Sequence, residues 1–228
     1  MKICALSDLH GTLISIKACE LVLICGDTVP LNKQRYIEGT YMWYKNIFKE
    51  WANNLDCDKV LFIAGNHELS FQNNSNDYRK LFPSSEKVTY LENTSYKYLS
   101  REGKEYSIYG TPACKVFGSW AFMYSDDKLQ DIYSTIPSDC DILISHDAPD
   151  LNDCGLIPSK HGRSQVNAGN IVLADAIMEK SPRYALCGHI HEGNHKLRKI
   201  GSTKLANVSI LDDTYNIAYE PLYLNITK

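Results

Sequence analysis

Short apolar runs punctuate this chain, and each ends in glycine or a polar cluster. Ile3 to Leu6, Leu21 to Cys25, Val60 to Ala64, Ile142 to Ile144 and Tyr184 to Cys187 are the main ones. Uninterrupted apolar runs of this length suit strands buried on both faces. Between them the period changes. From Tyr36 to Leu55, the residues Ile37, Tyr41, Tyr44, Ile47, Phe48, Trp51 and Leu55 recur at helical spacing, which predicts a helix whose aromatic residues pack in the core. A second helix is predicted over Asn170 to Lys180, stopped by Pro182 after Ser181. Tyr96–Tyr109, Lys204–Ile210 and Tyr219–Asn225 read as antiparallel strands. The polar stretch from Gln72 to Asp77 reads as a loop. No internal repeat and no low-complexity linker interrupts this order. The pattern predicts a single layered α/β domain over residues 1–228, with a mixed sheet or two packed sheets.

Composition narrows the class. Hydrophobic residues make up 44% and charged residues 22% of 228, ordinary for a globular chain with a substantial core. No run approaches the ~18–20 apolar residues of a membrane helix, and Asp8 and His10 interrupt the N-terminal run too early for a signal peptide. The net charge is -3 and no basic stripe appears, so general electrostatics would not hold a nucleic acid polymer. A small anion is still accessible as a ligand if bound metal supplies positive charge. The eight cysteines form no Cys-x-x-Cys pair, and Cys4, Cys25 and Cys187 sit inside apolar runs, where free Cys behaves as a small hydrophobe. A disulfide framework does not suit this chain, and the expected compartment is a reducing cytoplasm.

Chemistry concentrates just after the apolar strands. The clusters are Asp8-Leu9-His10, Gly26-Asp27, Gly65-Asn66-His67-Glu68, His146-Asp147 and Gly188-His189-Ile190-His191. Open α/β sheets place their sites at such strand ends. In extended chain, residues two apart point the same way, so Asp8 and His10 can reach one ion. Asp27 has two carboxylate oxygens and can bridge two ions. One such cluster would be a weak signal, more often a satisfied polar residue than a ligand. Five in series, each behind a buried strand, point to a metal site.

The order Asp-x-His, Gly-Asp, Gly-Asn-His-Glu, His, Gly-His-x-His resembles the signature of calcineurin-like metallophosphoesterases. Gly65-Asn66-His67-Glu68-Leu69-Ser70-Phe71, Ile108-Tyr109-Gly110-Thr111-Pro112, Asp141-Ile142-Leu143-Ile144-Ser145-His146 and Cys187-Gly188-His189-Ile190-His191-Glu192-Gly193 are similar to the small branch of metallophosphoesterase-domain-containing proteins. The similarity runs from Lys2 to about Ile226. It implies a four-layer α/β/β/α sandwich of two mixed β-sheets flanked by helices. It implies that Asp8, His10, Asp27 and His191 hold a first metal, and that Asp27, Asn66, His146 and His189 hold a second. The cofactors expected are two divalent ions, Mn2+ first, with Fe, Zn2+, Ni2+, Co2+ or Mg2+ as alternatives, since oxygen and imidazole ligands suit hard and borderline ions. It also implies attack of a metal-bridging hydroxide on phosphorus. His67 is then no ligand: it protonates the leaving alkoxide or stabilises the phosphate, and with Asn66 it contacts substrate.

Two departures matter. Protein phosphatases of this superfamily orient the corresponding His with an Asp three residues after the bridging Asp; here that position is Pro30, which leaves the partner of His67 open. Their phosphate-gripping arginines are missing from Gly26-Asp27-Thr28-Val29-Pro30 and from Ala64-Gly65-Asn66-His67-Glu68. The stretch from Asp8 to Asp27 also leaves little room for a helix. The activity expected is that of a phosphodiesterase on a small nucleotide or similar phosphoester. The rival readings are a metal-binding scaffold with little catalysis and a nuclease; the complete ligand set weighs against the first and the net charge against the second. No membrane partner is expected. Arg163 is a candidate phosphate contact beside a plainer reading as a solvated loop residue. His161 and His195 read as surface or hydrogen-bonded histidines. Asp147 and Glu68 are candidates to orient a ligand imidazole, or to cap a helix or turn. Trp120 and Phe122, in a Gly-containing loop, are candidates to line a nucleotide pocket.

Overall fold

The computed structural model describes residues 1–159 and 164–227. The chain opens with β1 (Lys2–Leu6), β2 (Leu21–Ile24), α1 (Ile37–Trp43), a π-helical turn (Tyr44–Phe48), α2 (Lys49–Asn54), β3 (Lys59–Ile63) and α3 (Leu69–Leu81). There follow β4 (Val88–Leu91), β5 (Thr94–Leu99), β6 (Glu105–Thr111), β7 (Cys114–Lys115), β8 (Met123–Tyr124), α4 (Asp126–Ser134) and β9 (Ile142–Ser145). The remainder is β10 (Leu156–Ile157), β11 (Val166–Asn167), α5 (Ile171–Lys180), β12 (Tyr184–Cys187), β13 (Arg198–Ile200), β14 (Thr203–Asn207) and β15 (Leu222–Asn225).

Two mixed sheets carry the fold. The first has the order β15-β1-β2-β3-β4, parallel except for the antiparallel edge strand β15. The second has the order β13-β14-β12-β9-β6-β5, with a parallel centre and antiparallel pairs at both edges. Strand alternation distributes their apolar residues over two faces. Ile3, Ala5, Leu21, Leu23, Leu61 and Ile63 meet Ile108, Ile142, Ile144 and Leu186 between the sheets. Cys4, Leu6, Val22, Ile24 and Phe62 face the other way, against Trp43, Tyr44, Phe48 and Phe71 of the helical layer. Leu143, Ala185 and Leu205 pack outward against Leu129, Tyr133, Leu173 and Ile177 of α4 and α5. The result is the expected α/β/β/α sandwich.

Helix α5 matches its predicted bounds for local reasons. Asn170 caps it by accepting the Leu173 N–H at 3.0 Å, and Ser181 ends it in the left-handed conformation at φ 52° before Pro182. The helix predicted from Tyr36 to Leu55 forms with a break in its period. The π turn adds a residue, so Trp43, Tyr44, Phe48 and Ala52 point inward while Ile37 and Ile47 are exposed. The loop expected at Gln72 to Asp77 is instead part of α3. Phe71 and Tyr78 are buried and stacked with ring centres 3.5 Å apart, and this packing holds the polar stretch in a helix that kinks at Asn74. Lys204–Ile210 is likewise only partly as expected: β14 is antiparallel to β13 but parallel to β12. No helix among the described residues is long and apolar enough to cross a membrane. All eight cysteines are buried free thiols.

Candidate metal centre

The site lies where the C-terminal ends of β1, β2, β3, β9 and β12 converge across the two sheets. Backbone pairing continues past the strands: Asp8 N–H donates to Gly26 O (3.1 Å), His10 N–H to Asp27 O (2.9 Å) and Gly11 N–H to Thr28 O (2.8 Å). This zipper sets the first two clusters side by side without a helix between β1 and β2. Asp8, His10, Asp27 and His189 all adopt left-handed backbone, with φ of 56°, 42°, 50° and 69°. Such conformations cost free energy in a non-glycine residue and persist where the surrounding structure holds them, commonly at functional sites. Gly65 and Gly188 allow close approaches within the site. A Cβ at Gly65 would collide with the Asp27 carboxylate, and one at Gly188 with Ser7 and Asp8.

The side chains of Asp8, His10, Asp27, Asn66, His146 and His191, all expected as ligands, face one another, whereas His189 joins them through its ring edge and backbone. His191 Nε2 is 3.6 Å from Asp8 Oδ1. His10 Nε2 is 3.8 Å and His146 Nε2 3.3 Å from Asp27 Oδ2. His146 Nε2 also lies 2.8 Å from Asn66 Oδ1. The His189 ring meets that of His146 at 5.1 Å, and its backbone N–H donates to Asp8 Oδ2 at 3.0 Å. The opposite nitrogens are tied to carbonyls: His146 Nδ1–H donates to Cys25 O and His191 Nδ1–H to Asp212 O, each at 2.8 Å. That pairing directs both Nε2 lone pairs inward, as imidazole ligands require. Among the described residues, three groups keep their ligand atoms within 4.8 Å of one another: Asp8, His10 and His191; Asp8, Asp27 and His146; and His10, Asp27 and His67.

Divalent ions fit these residues. Both ring nitrogens of His10 are buried without a hydrogen-bond partner, a cost that native interiors rarely accept. His146 Nε2 meets two acceptor oxygens, Asn66 Oδ1 and Asp27 Oδ2, an arrangement satisfied by a proton or by a shared cation. Without metal, protons fill this role. Burial works against a charged His146, but the Asp27 carboxylate overrides it and pushes the ring up to about 10. His191 is raised to about 9 against burial by Asp8. His10 is pushed down to about 4, mainly by burial, and burial lowers His189 too. Burial opposes ionisation of Asp8 and Asp27, yet their histidine neighbours hold both carboxyls below the ordinary range.

His67 stands at the rim. Its backbone N–H donates to Asp27 Oδ1 (2.9 Å), its Nε2 lies 3.7 Å from Asp27 Oδ2, and its Nδ1 pairs with Gln34 Oε1. Gln34 is thus the partner that Pro30 could not be. Glu68 orients no imidazole. Its buried carboxylate accepts the N–H groups of Gly65 (2.6 Å), Thr28 (2.8 Å), Val29 (2.9 Å) and Asp27 (3.2 Å), plus the Tyr44 hydroxyl (2.9 Å). Burial, then the nearby Asp27 charge, raises it to about 7. Asp147 does not orient an imidazole either; it accepts Lys115 N–H and Asn170 Nδ2–H, each at 2.8 Å. Ser209 Oγ–H donates to Asp8 Oδ2 at 2.5 Å.

A pocket of about 480 Å3 opens over these groups, walled by Phe117, Trp120 and Tyr215 with Lys115, Glu192 and Asp213 among its charged residues. Trp120 is where the sequence suggested, but Phe122 is buried in the helical-layer core and Phe117 takes the wall instead. His195 donates from Nε2 to His191 O (2.9 Å) and stacks on Tyr219. Arg163 and His161 lie outside the described residues. Gln34, Ser209, Tyr215 and Lys115 belong to no motif and were invisible to spacing arguments.

Residues 1–193 match the family profile described as calcineurin-like phosphoesterase. Metallophosphoesterase domain-containing protein 1 of Homo sapiens is 30% identical over 196 residues, covering 78% of this chain; the chain spans only 58% of that relative's length. Among solved structures, TT1561 of Thermus thermophilus superposes with a TM-score of 0.59 at 14% identity, covering 90% of this chain and 88% of the other. The phosphopantetheinyl hydrolase PptH of Mycobacterium tuberculosis has a TM-score of 0.59 at 13% identity, covering 94% and 90%. At such identities the likeness is one of fold.

Proposed function

Since this chain belongs to the calcineurin-like phosphoesterase family, we propose that it is a metal-dependent phosphoester hydrolase and, within that class, a phosphodiesterase acting on a small nucleotide or similar phosphoester. The observation that carries this reading is buried His10, whose two ring nitrogens have no hydrogen-bond partner although His10 sits among carboxylates and imidazoles grouped closely enough to share an ion. In this reading Asp8, His10, Asp27 and His191 hold one ion, Asp27, Asn66, His146 and His189 hold the other, and Mn2+ is the first candidate. The bound pair supplies Lewis acidity that neutralises phosphate and lowers the pKa of water.

The chain's own groups do the rest. Asn66 and His67 sit beside the reacting phosphate, and His67 Nε2 gives its proton to the leaving oxygen. His67 lies within reach of Asp27 and His10, so its replacement must leave metal content intact if it is an acid and not a ligand. Phe117, Trp120 and Tyr215 give the pocket an aromatic lining for the organic part of the substrate. No arginine stands at Leu31 or Ala64 to bind the dianion of a phosphoprotein, which favours diesters. Residues 1–228 act as one domain in this proposal, supported by the core shared between the sheets, and its proposed compartment is the cytoplasm, supported by eight free thiols.

Metal-free protein reconstituted in turn with Mn2+, Fe2+ and Zn2+ should hydrolyse bis-(p-nitrophenyl) phosphate faster than p-nitrophenyl phosphate and leave an oligonucleotide intact. Asp27→Asn should lose metal and turnover together. Full activity in that variant, or no turnover by metal-loaded protein with any of the three ions, would overturn the assignment.

A further inference from the structure

His67 is gripped by two consecutive residues of the segment between β2 and α1. Gln34 Oε1 takes its Nδ1 edge. Arg35 acts through Trp120: the guanidinium lies 4.2 Å from the Trp120 ring centre, and that ring lies 4.5 Å from the His67 ring at 31°. Arg35 Nη2 also donates to Ser119 O at 3.4 Å, fastening the loop that carries Trp120. On the other side the backbone N–H of His67 is held by Asp27 Oδ1, and the His10 ring meets the imidazole edge-on at 4.8 Å. One nitrogen, one face and the backbone are therefore spoken for. His67 still lines the pocket, and Nε2 is the nitrogen that points toward the Asp27 edge of it.

We propose that Gln34 is the positioning residue of His67, and that the Arg35–Trp120 stack completes the clamp. This rests on the reading of His67 as the acid toward the leaving group. A glutamine side-chain oxygen accepts a hydrogen bond but cannot take the proton, so Nδ1 keeps its hydrogen throughout. Proton transfer is confined to Nε2. As the leaving-group O–H bond forms, the Nε2–H bond breaks, its electron pair stays on Nε2, and the ring is left neutral with Nδ1–H still donated to Gln34. Water then restores the Nε2 proton. A carboxylate at this place would orient the ring and also stabilise its cation; the neutral amide orients it by hydrogen-bond geometry alone.

Two readouts test this, one of them independent of turnover. In 15N-labelled metal-free protein, long-range 15N–1H correlation on the neutral ring should show His67 as the Nδ1–H tautomer, with mixed tautomers in Gln34→Leu and the Nδ1–H form kept in Gln34→Glu. In metal-loaded protein, Gln34→Leu should retain metal and KM but lose kcat by about 10²-fold on a diester with an alkyl leaving group. It should keep kcat on the p-nitrophenyl diester, whose leaving group needs no proton, and Gln34→Glu should recover the alkyl ester. His67→Ala is the reference. If His67→Ala loses the alkyl ester selectively and Gln34→Leu does not, Gln34 has no positioning role while the reading of His67 stands. A wild-type Nε2–H tautomer overturns the proposal directly. If His67→Ala shows no leaving-group selectivity, the acid role fails and the proposal fails with it.

Discussion

Glu68 shows how much one buried side chain organises here. Its carboxylate gathers four backbone N–H groups from two strand ends and the Tyr44 hydroxyl, which in turn contacts Thr28 Oγ1. Asp27, the proposed bridge, has its backbone fixed by this cradle. In Glu68→Gln the amide nitrogen would face N–H donors and leave at least one unpaired, at a cost of about 1–3 kcal/mol. Metal affinity should fall by about 10–100-fold, as when a group behind a ligand is lost. Thermal melting of the metal-free variant and a Mn2+ titration measure the two effects; unchanged values for both would remove Glu68 from the positioning machinery. The sequence marked Glu68 through its motif but left it between orienting an imidazole and capping a helix or turn, because spacing cannot reveal which way a buried carboxylate turns.

At the scale of elements, each proposed ligand rides on a turn that leaves a buried parallel strand. The strands were legible because they are continuous apolar runs, and the turns because glycine or a polar cluster follows each one. Gly65 tests this arrangement. A methyl group there would press on the Asp27 carboxylate and the His146 ring. Gly65→Ala should keep the far-UV spectrum of the fold, lose about 1–3 kcal/mol by overpacking and lose tight metal binding; wild-type metal affinity in this variant would show that the turn can yield. The helices were less legible. A π turn shifts the inward face between Tyr44 and Phe48, and periodicity assumes an unbroken helix. Gln72 to Asp77 has loop composition, yet the flanking Phe71–Tyr78 stack holds it in α3.

For the whole molecule, the metal-free site is an array of imidazolium–carboxylate pairs, and its protonation couples stability to pH. His146 and His191, raised to about 10 and about 9, contribute stability fully present below the ordinary histidine value near 6.5. That contribution is lost as pH rises through 9 to 10. His10, lowered to about 4, contributes in the opposite sense: its share is present above 6.5 and lost as pH falls toward 4. The metal-free Tm should therefore decline on the alkaline side, where the His146 and His191 contributions are lost, and His146→Gln should flatten that limb; below neutrality the opposite shifts of His10 and Glu68 offset each other. Metal must displace the protons on His146 and His191. Calorimetry in buffers of different ionisation enthalpy should show proton release on Mn2+ binding near pH 7, and affinity should rise with pH. A pH-independent affinity would contradict the paired array.

Local sequence alone determined the buried strands, the order of the polar clusters behind them, the capped helix α5 and, through motif order, the family. These depend on neighbours within a few residues, where periodicity and turn chemistry act. Only the tertiary structure decided that Gln34 meets His67, that Ser209 and the Asp212 carbonyl brace Asp8 and His191, and that Phe117 rather than Phe122 walls the pocket. Those contacts join residues far apart in the chain, and the packing of two sheets fixes them, which no local pattern encodes.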